Sequence, residues 1–428
     1  MKAIPFLAAL ALIASPASTL AQATPARANA AISRIVASAE YKKAAAALDA
    51  GHARWVEDVI AITEIPAPPF KEQARAKAYL AMFQARGLSD TAIDAEGNVL
   101  GLRKGAGEGP LLVVSAHLDT VFPEGTNVKV RREPDKLHAP GVGDDSAGLA
   151  TQLALIDAMN AAGIRTRGDI LFVGTVGEEG LGDLRGVRYL FTKGKYKDRA
   201  KAFISIDGVG STGFTTGGTG SKRYRLTFKG PGGHSSGAFG IVNPMAALSQ
   251  SVVDLYKLQV PSSPRTTFSA SVVGGGTSVN AIPEQVWLEV DMRSDSAAEL
   301  ARLEQRFLGI VDEAVKGENA ARSTRRGSVS VERKPIGDRP AGQTPASAEI
   351  VQLAMAAHRA EGVEAQTGAS STDANIPMSM GVPAITMSGA AAGAGAHAPD
   401  EWVGVDKPSN VKLKRIRLAT ILALAGIR

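Results

Sequence analysis

Leu111-Leu112-Val113-Val114-Ser115-Ala116-His117-Leu118-Asp119 is an apolar, strand-like run that ends in an imidazole and a carboxylate two residues apart. The pattern recurs along the chain. Ile170 to Val176 precedes Glu178-Glu179, Ala202 to Ile206 precedes Asp207, and Ala384 to Met387 lies a short Gly/Ala loop before His397. In an open, mostly parallel sheet, ligands sit just beyond the carboxyl ends of the strands. Acidic and imidazole groups that arrive there on separate strands therefore converge in space.

Around these runs, strand and helix patterns alternate through Asp207, the sign of a parallel α/β sheet. Helical spacing of apolar residues over Ala53 to Thr63 and Lys71 to Arg86 is interrupted by the rigid Ile65-Pro66-Ala67-Pro68-Pro69. Residues 24 to about 50 are Ala-rich and are expected to form a solvated helix or a loose arm. After Gly218 the pattern changes. Residues 222–229 alternate, Asn243 to Leu258 reads as a helix with Pro244 in its first turn, and Thr266 to Val273 and Val286 to Met292 alternate again. A helix over Ala297 to Lys316 and a strand near Ser328 to Arg333 complete a compact insertion of two helices and four strands. Gly337 to Gly342 is expected to be the return linker, followed by a helix over Ser347 to Glu361 and the short strand Ala384 to Met387. The expected organisation is a signal peptide over 1–23, a catalytic domain split into 30–217 and 336–428, and an inserted domain over 218–335.

Lys2, the apolar run Ile4 to Ala14 and Ala21-Gln22-Ala23 follow one another as the parts of a cleaved secretory signal. An exported chain, periplasmic or secreted, is expected to start near Gln22 to Thr24. That run is well short of the roughly 20 apolar residues that cross a bilayer, and no other stretch reads as transmembrane, so no membrane partner is expected. With 0 cysteines, neither disulfides nor thiolate ligands are available, and any metal is left to His, Asp and Glu. The 428 residues exceed the ~250–300 at which single cores stop growing, which favours two domains. Loss of Lys2 takes the formal charge from +6 to +5. The excess is spread along the chain, so no nucleic-acid partner is expected. The densest basic stretch, Lys412 to Arg417, lies among Leu413, Ile416, Leu418 and Ile421 and is expected to form an amphipathic helix packed on the body.

His117 and Asp119, two apart at a strand end, can project to one side, with the carboxylate orienting the imidazole for a metal. Gly141-Val142-Gly143-Asp144-Asp145 sets small residues beside paired acids, one of which can bridge two cations. Adjacent Glu178 and Glu179 point in different directions, so one can bind metal while the other shuttles protons. Two cations about 3.5–4 Å apart lower the pKa of a shared water from 15.7 toward ~7 and polarise a carbonyl, which suits amide hydrolysis. Oxygen and imidazole ligands fit zinc, and manganese or cobalt suit the same shell.

The pattern resembles the co-catalytic zinc metallopeptidase family that includes aminoacylase, acetylornithine deacetylase, glutamate carboxypeptidase and peptidase T. The likeness is carried by Ser115 to Val121, Gly141 to Gly148, Gly177-Glu178-Glu179-Gly180, Asp207, Gly230-Pro231-Gly232-Gly233-His234-Ser235 and Ala396-His397-Ala398-Pro399-Asp400-Glu401. It implies an α/β fold in which a mostly parallel-sheet zinc-hydrolase domain carries an inserted α+β lid or dimerisation domain. It further implies two Zn2+ ions, one on His117 and Asp207, the other on Glu179 and His397, with Asp144 bridging, Asp119 supporting and Glu178 as general base. A cis peptide between Asp144 and Asp145 belongs to the same resemblance. So does a homodimer formed through the lid, in which His234 reaches the partner subunit's site to stabilise an oxyanion. Arg293 with Asn280 is implied as a clamp for a substrate carboxylate, and Thr372 and Asp373 fall where relatives carry a substrate-contacting loop. Ser146 stands where many members have Lys.

The expected function is a secreted or periplasmic di-zinc metallo-exopeptidase acting on short peptides by a metal-bridged hydroxide with a Glu general base. An N-acyl amino acid deacylase is the alternative. A serine hydrolase built on Ser235, Asp373 and His397 fits the G-x-S-x-G order, but it leaves the acids at 119, 144, 178, 179 and 207 unexplained and lacks the strand-to-helix turn. A non-enzymatic binding protein would not need a free Glu178 beside the ligands.

Overall fold

A computed structural model describes residues 24–107 and 109–428. The expected signal peptide over 1–23 lies outside the described residues. The body is built on a nine-stranded sheet. Its centre is parallel: Leu111–His117 lies between Ile170–Thr175 and Ala200–Ile206, and Ala384–Met387 pairs with the far side of Ala200–Ile206. Antiparallel strands flank this centre, Val99–Arg103 on one side and Gly213–Gly218 on the other. Successive side chains of a strand face opposite ways. Leu112, Val114 and Ala116 accordingly enter one core while Leu111 and Val113 enter another, and Ile170 and Phe172 part from Leu171 and Val173 in the same way. A sheet covered on both faces explains why these strands read as unbroken apolar runs. Phe172 is 0% exposed, and Phe172→Ala would cost about 3–5 kcal/mol through lost burial and the cavity left.

The insertion has its own core. Four antiparallel strands in the order Thr266–Gly275, Gln285–Ser294, Gly220–Lys229, Ser330–Arg339 carry the helices Pro244–Leu255 and Ala297–Ala321 on one face. Leu226, Phe228, Leu288, Val290 and Met292 meet Leu248, Leu300, Leu303 and Phe307 there. The other face holds Arg223, Arg225, Glu289, Asp291 and Arg293, with Arg225 stacked 4.1 Å over the Trp287 ring.

Three expectations need correction. Residues 24 to about 50 are helical with an exposed face, as one alternative had it, but they are not a loose arm. They form the helices Pro25–Ala37 and Ala39–Ala50, which bury Ala28, Ile32, Ile35, Tyr41, Ala44 and Leu48 in the main core. Their alanines let helices approach closely, and the Tyr41 hydroxyl donates to Arg415 O at 3.1 Å. The expected return linker begins too early, because the last strand of the insertion runs through Gly337 and Asp338 to Arg339. The C-terminal helix Lys407–Ala425 packs on the body, yet it buries Lys414 and Arg417 along with Leu413, Ile416 and Ile421. His52 and His358, which match nothing in the expected site, are packing residues stacked on Trp55 and Phe214.

Candidate metal centre

His117, Glu178, Glu179 and Asp207 leave the sheet where their strands stop. His117 ends its strand, Glu178 and Glu179 follow Thr175 by a Gly177 turn at φ 64°, and Asp207 follows Ile206. His397 comes from a turn at φ 68° after Ala384–Met387, and Asp144 from the loop before the helix Ala147–Ala162. The Asp144-Asp145 peptide is cis, as the resemblance implied.

Asp144 stands between the two imidazoles. Its Oδ1 is 2.8 Å from His117 Nε2 and its Oδ2 is 3.3 Å from His397 Nε2. His397 Nε2 is also 2.9 Å from Glu179 Oε1, and Asp207 Oδ1 lies 3.8 Å from His117 Nε2. Ligand atoms of His117, Asp144 and Glu179 fall within 4.8 Å of one another, as do those of His117, Asp145 and Asp207. All five expected ligands therefore meet, with one carboxylate oxygen of Asp144 directed to each imidazole.

The electrostatics describe a site short of positive charge. Burial pushes Asp207 up to about 7, helped by the negative charge of Asp144 and Glu179 and opposed by His117. Burial also lifts Glu178 and Asp145 well above the usual carboxylate range. Hydrogen bonds that His397 donates to Asp144 and Glu179 raise it to about 10. Desolvation opposes charge on His117, but Asp144, Asp145 and Asp207 outweigh it and hold its pKa well above 6.5. Within the ligand set itself, protons on the two imidazoles are what offsets the acids. Hard oxygen donors and imidazoles gathered on a shared carboxylate fit a pair of divalent cations.

Asp119 departs from expectation in detail. The carbonyl of Asp119, not its carboxylate, receives His117 Nδ1, at 3.0 Å, while the carboxylate lies 3.7 Å away. That carboxylate instead accepts the backbone N–H groups of Glu178 at 3.1 Å and Glu179 at 2.8 Å, so it holds the turn that aims both glutamates. Asp145 accepts the His117 N–H at 3.0 Å and sits too close to Gly148 for any Cβ there.

A cavity of about 910 Å³ opens over the centre, lined by Glu178, Arg223, Arg293, Arg339, Thr372 and His397 among others. Asp291 holds two of these arginines by Nε, Arg223 at 2.9 Å and Arg293 at 2.6 Å, and Arg223 Nη1 also donates to Gly180 O at 3.1 Å. Sequence reading missed Arg339, which lay inside the supposed linker. Its Nη2 donates to the Glu178 carbonyl at 2.5 Å, and its Nη1 lies 3.3 Å from Glu178 Oε1 and 3.1 Å from Ser371 Oγ. A guanidinium at the end of an alternating strand was the available signal.

The remaining candidates divide between this cavity and other places. Thr372 lines the cavity but shares its hydroxyl with Thr386 at 2.7 Å. Asp373 is 1% exposed and accepts from Thr175 Oγ1 at 2.5 Å, away from the cavity wall. His234 and Asn280 line a separate cavity on the insertion. His234 Nδ1 takes hydrogen bonds from Ser236 and Gly237, which leaves Nε2 as the donor of the neutral ring. Ser235, Asp373 and His397 form no triad, since His397 bonds Asp144 and Glu179 while Asp373 bonds Thr175.

The model of peptidase family M20/M25/M40 matches residues 113–411. Carboxypeptidase G2 of a Pseudomonas strain is 27% identical over 216 residues, 49% of this chain and 51% of that protein. Succinyl-diaminopimelate desuccinylase of Nitrosospira multiformis is 28% identical over 222 residues, 48% of this chain and 58% of that protein. The chain thus spans just over half the length of these two curated relatives. Among solved structures, aminopeptidase PepT of Bacillus cereus superposes with a TM-score of 0.70 at 20% identity, over 87% of this chain and 99% of that one. The Bacillus subtilis YXEP protein, described as a dinuclear metal-binding peptidase, gives 0.64 at 17% identity, over 88% and 99%. At such identities the structural likeness establishes the fold.

Proposed function

We propose, starting from the fact that this chain belongs to peptidase family M20/M25/M40, that it is an exported di-zinc exopeptidase hydrolysing amide bonds of short peptides. The observation that carries the reading is Asp144 with one oxygen toward each imidazole, beside a Glu178 that no imidazole engages. His117 and Asp207 would hold one ion, Glu179 and His397 the other, and Asp144 both. When bound, two such ions polarise an amide carbonyl and ease deprotonation of water. Glu178 would act as the base that takes a proton from the attacking water and returns it to the leaving nitrogen. Arg339 holds Glu178 in place from behind.

Terminal specificity is supported by Arg293 and Arg223, which share Asp291 through Nε and line the cavity. A planar fork of this kind suits a substrate carboxylate. Export is supported by the order of residues 2–23, and no described helix is long and apolar enough to cross a membrane. Homodimerisation through the insertion is supported by its outer strand Thr266–Gly275. That strand is paired on one side and carries Val272 and Val273, 45% and 60% exposed, beside Val253. The His234 cavity lies apart from the metal cavity, which favours service to a partner's site. A deacylase of N-acyl amino acids is the second reading, favoured by the desuccinylase among the relatives.

Glu178→Gln decides the chemistry. It should lower kcat by about 10²–10⁴-fold while both ions remain bound. Full activity in that variant on the substrates of the wild-type protein would remove the base assignment. Mass spectrometry of products from mixed peptides and N-acyl amino acids separates the two readings.

A further inference from the structure

Glu401 lies four residues past His397 and is 2% exposed. Its carboxylate accepts three backbone N–H groups from the loop of Asp144. Oε1 takes those of Gly143 at 2.7 Å and Asp144 at 2.8 Å, and Oε2 takes that of Gly141 at 2.8 Å. The segment that bears Glu401 is closed on itself. Ala398 N donates to Gly395 O at 2.8 Å and Glu401 N to Ala398 O at 3.1 Å, with His397 inside the turn. Ala139 N further ties Glu401 O at 3.1 Å. One short piece of chain thus carries the His397 ring and a carboxylate that clamps the Asp144 backbone.

The Glu401 carboxylate therefore joins two segments separated by more than 250 residues, each bearing a ligand candidate for the same ion. Asp144 Oδ2 and His397 Nε2 stand 3.3 Å apart across it. The other pair is placed differently. His117 ends one strand and Asp207 follows its parallel neighbour, so their spacing comes from the sheet ladder. We propose that Glu401 is a positioning residue that sets the Asp144–His397 spacing, and with it the affinity for the ion on His397 and Glu179. The His117–Asp207 spacing does not depend on it, so the ion there feels the joint only through the shared Asp144. This inference rests on the two-ion reading above.

Glutamine in its place turns an NH2 group toward at least one N–H donor, because all three bonds need an acceptor. Aspartate is one methylene shorter and does not span Gly141 and Asp144 together. Gly143→Ala disturbs the same joint from the opposite side without changing charge, since its Cβ would stand 3.1 Å from Glu401 Oε1.

The experiment is calorimetric titration of metal-stripped protein with Zn2+, with circular dichroism to record the fold and Co2+ absorption spectra to record coordination. Wild type should bind two ions. Glu401→Gln and Gly143→Ala should each weaken the ion on His397 and Glu179 by about 10–100-fold, the scale for partners that orient metal ligands, and weaken the other, which shares only Asp144 with this joint, by less. Added to His397→Ala, Glu401→Gln should cost nothing more. Unchanged affinities in either folded variant overturn the inference, and so does an equal loss at both sites or an additive loss in the double variant. If Glu401→Gln does not fold, the Gly143→Ala titration decides. Wild-type protein that binds fewer than two ions overturns the two-ion reading instead, so the two failures are distinguishable.

Discussion

Lys414→Met should make this protein more stable at neutral pH. Lys414 is 1% exposed, its Nζ has no hydrogen-bond partner among the described residues, and it lies 3.7 Å from the Trp55 ring centroid. Burial, with Arg417 nearby, brings its ammonium from 10.5 down to about 7. The folded pKa lies below the unfolded one, so the unfolded chain binds more protons between those values. Stability is therefore withheld at and below pH 7 and returns as pH rises toward 10.5. The drop from 10.5 to about 7, at ~1.36 kcal/mol per pH unit and with the folded group half charged, costs about 4 kcal/mol at pH 7. The Trp55 face offsets up to ~2 kcal/mol. Methionine fills the stem's place without a charge, so the variant should gain about 2 kcal/mol at pH 7. Urea denaturation followed by far-ultraviolet circular dichroism, in excess zinc, measures the difference. Between pH 7 and pH 9 the advantage of the variant should shrink by about 2 kcal/mol. A variant less stable than wild type at pH 7, or a difference that does not change with pH, would refute the reasoning.

Arg339→Gln should lower kcat by about 10–100-fold with both ions bound, from the loss of charged hydrogen bonds worth ~1.5–3 kcal/mol to the Glu178 segment; unchanged kcat at full metal occupancy would count against the contact. Arg293→Ala should raise KM by about 10–100-fold for substrates with a free carboxylate and leave amidated ones unaffected, again from one charged pairing of ~1.5–3 kcal/mol, and steady-state kinetics on matched pairs reads this directly. Val273→Lys places a charge on the outer strand of the insertion and should yield monomers in sedimentation equilibrium; a dimer that persists would place the interface elsewhere.

His117, Glu179, Asp207 and His397 were legible because each follows an apolar strand or its loop, and strand ends converge whatever the register, while Asp144 was legible as paired acids among small residues. Leu111 to His117 and Ile170 to Thr175 are buried throughout, so hydrophobicity alone marked them. Contacts that depend on backbone geometry were not legible. The Asp119 carboxylate bonds two N–H groups of a turn, and the spacing to His117 gave no hint of it. Arg339 was missed because Gly337 and Pro340 read as linker, although the ladder continues through Asp338 and Arg339 opposite Lys222 and Ser221. The helices Pro25–Ala37 and Ala39–Ala50 hid in their alanines, which look solvated in composition but pack because they are small.

The strand Ala384–Met387 lies between Ala200–Ile206 and Gly213–Gly218, pairing with both. It is among the last strands to be synthesised, and it fills the middle of the sheet. A nascent chain that stops short of it exposes the unpaired inner borders of Ala200–Ile206 and Gly213–Gly218, while the contiguous insertion already has every partner it needs to fold. During synthesis the body therefore waits on residues near its far end, and truncated products are marked for aggregation or proteolysis at that gap.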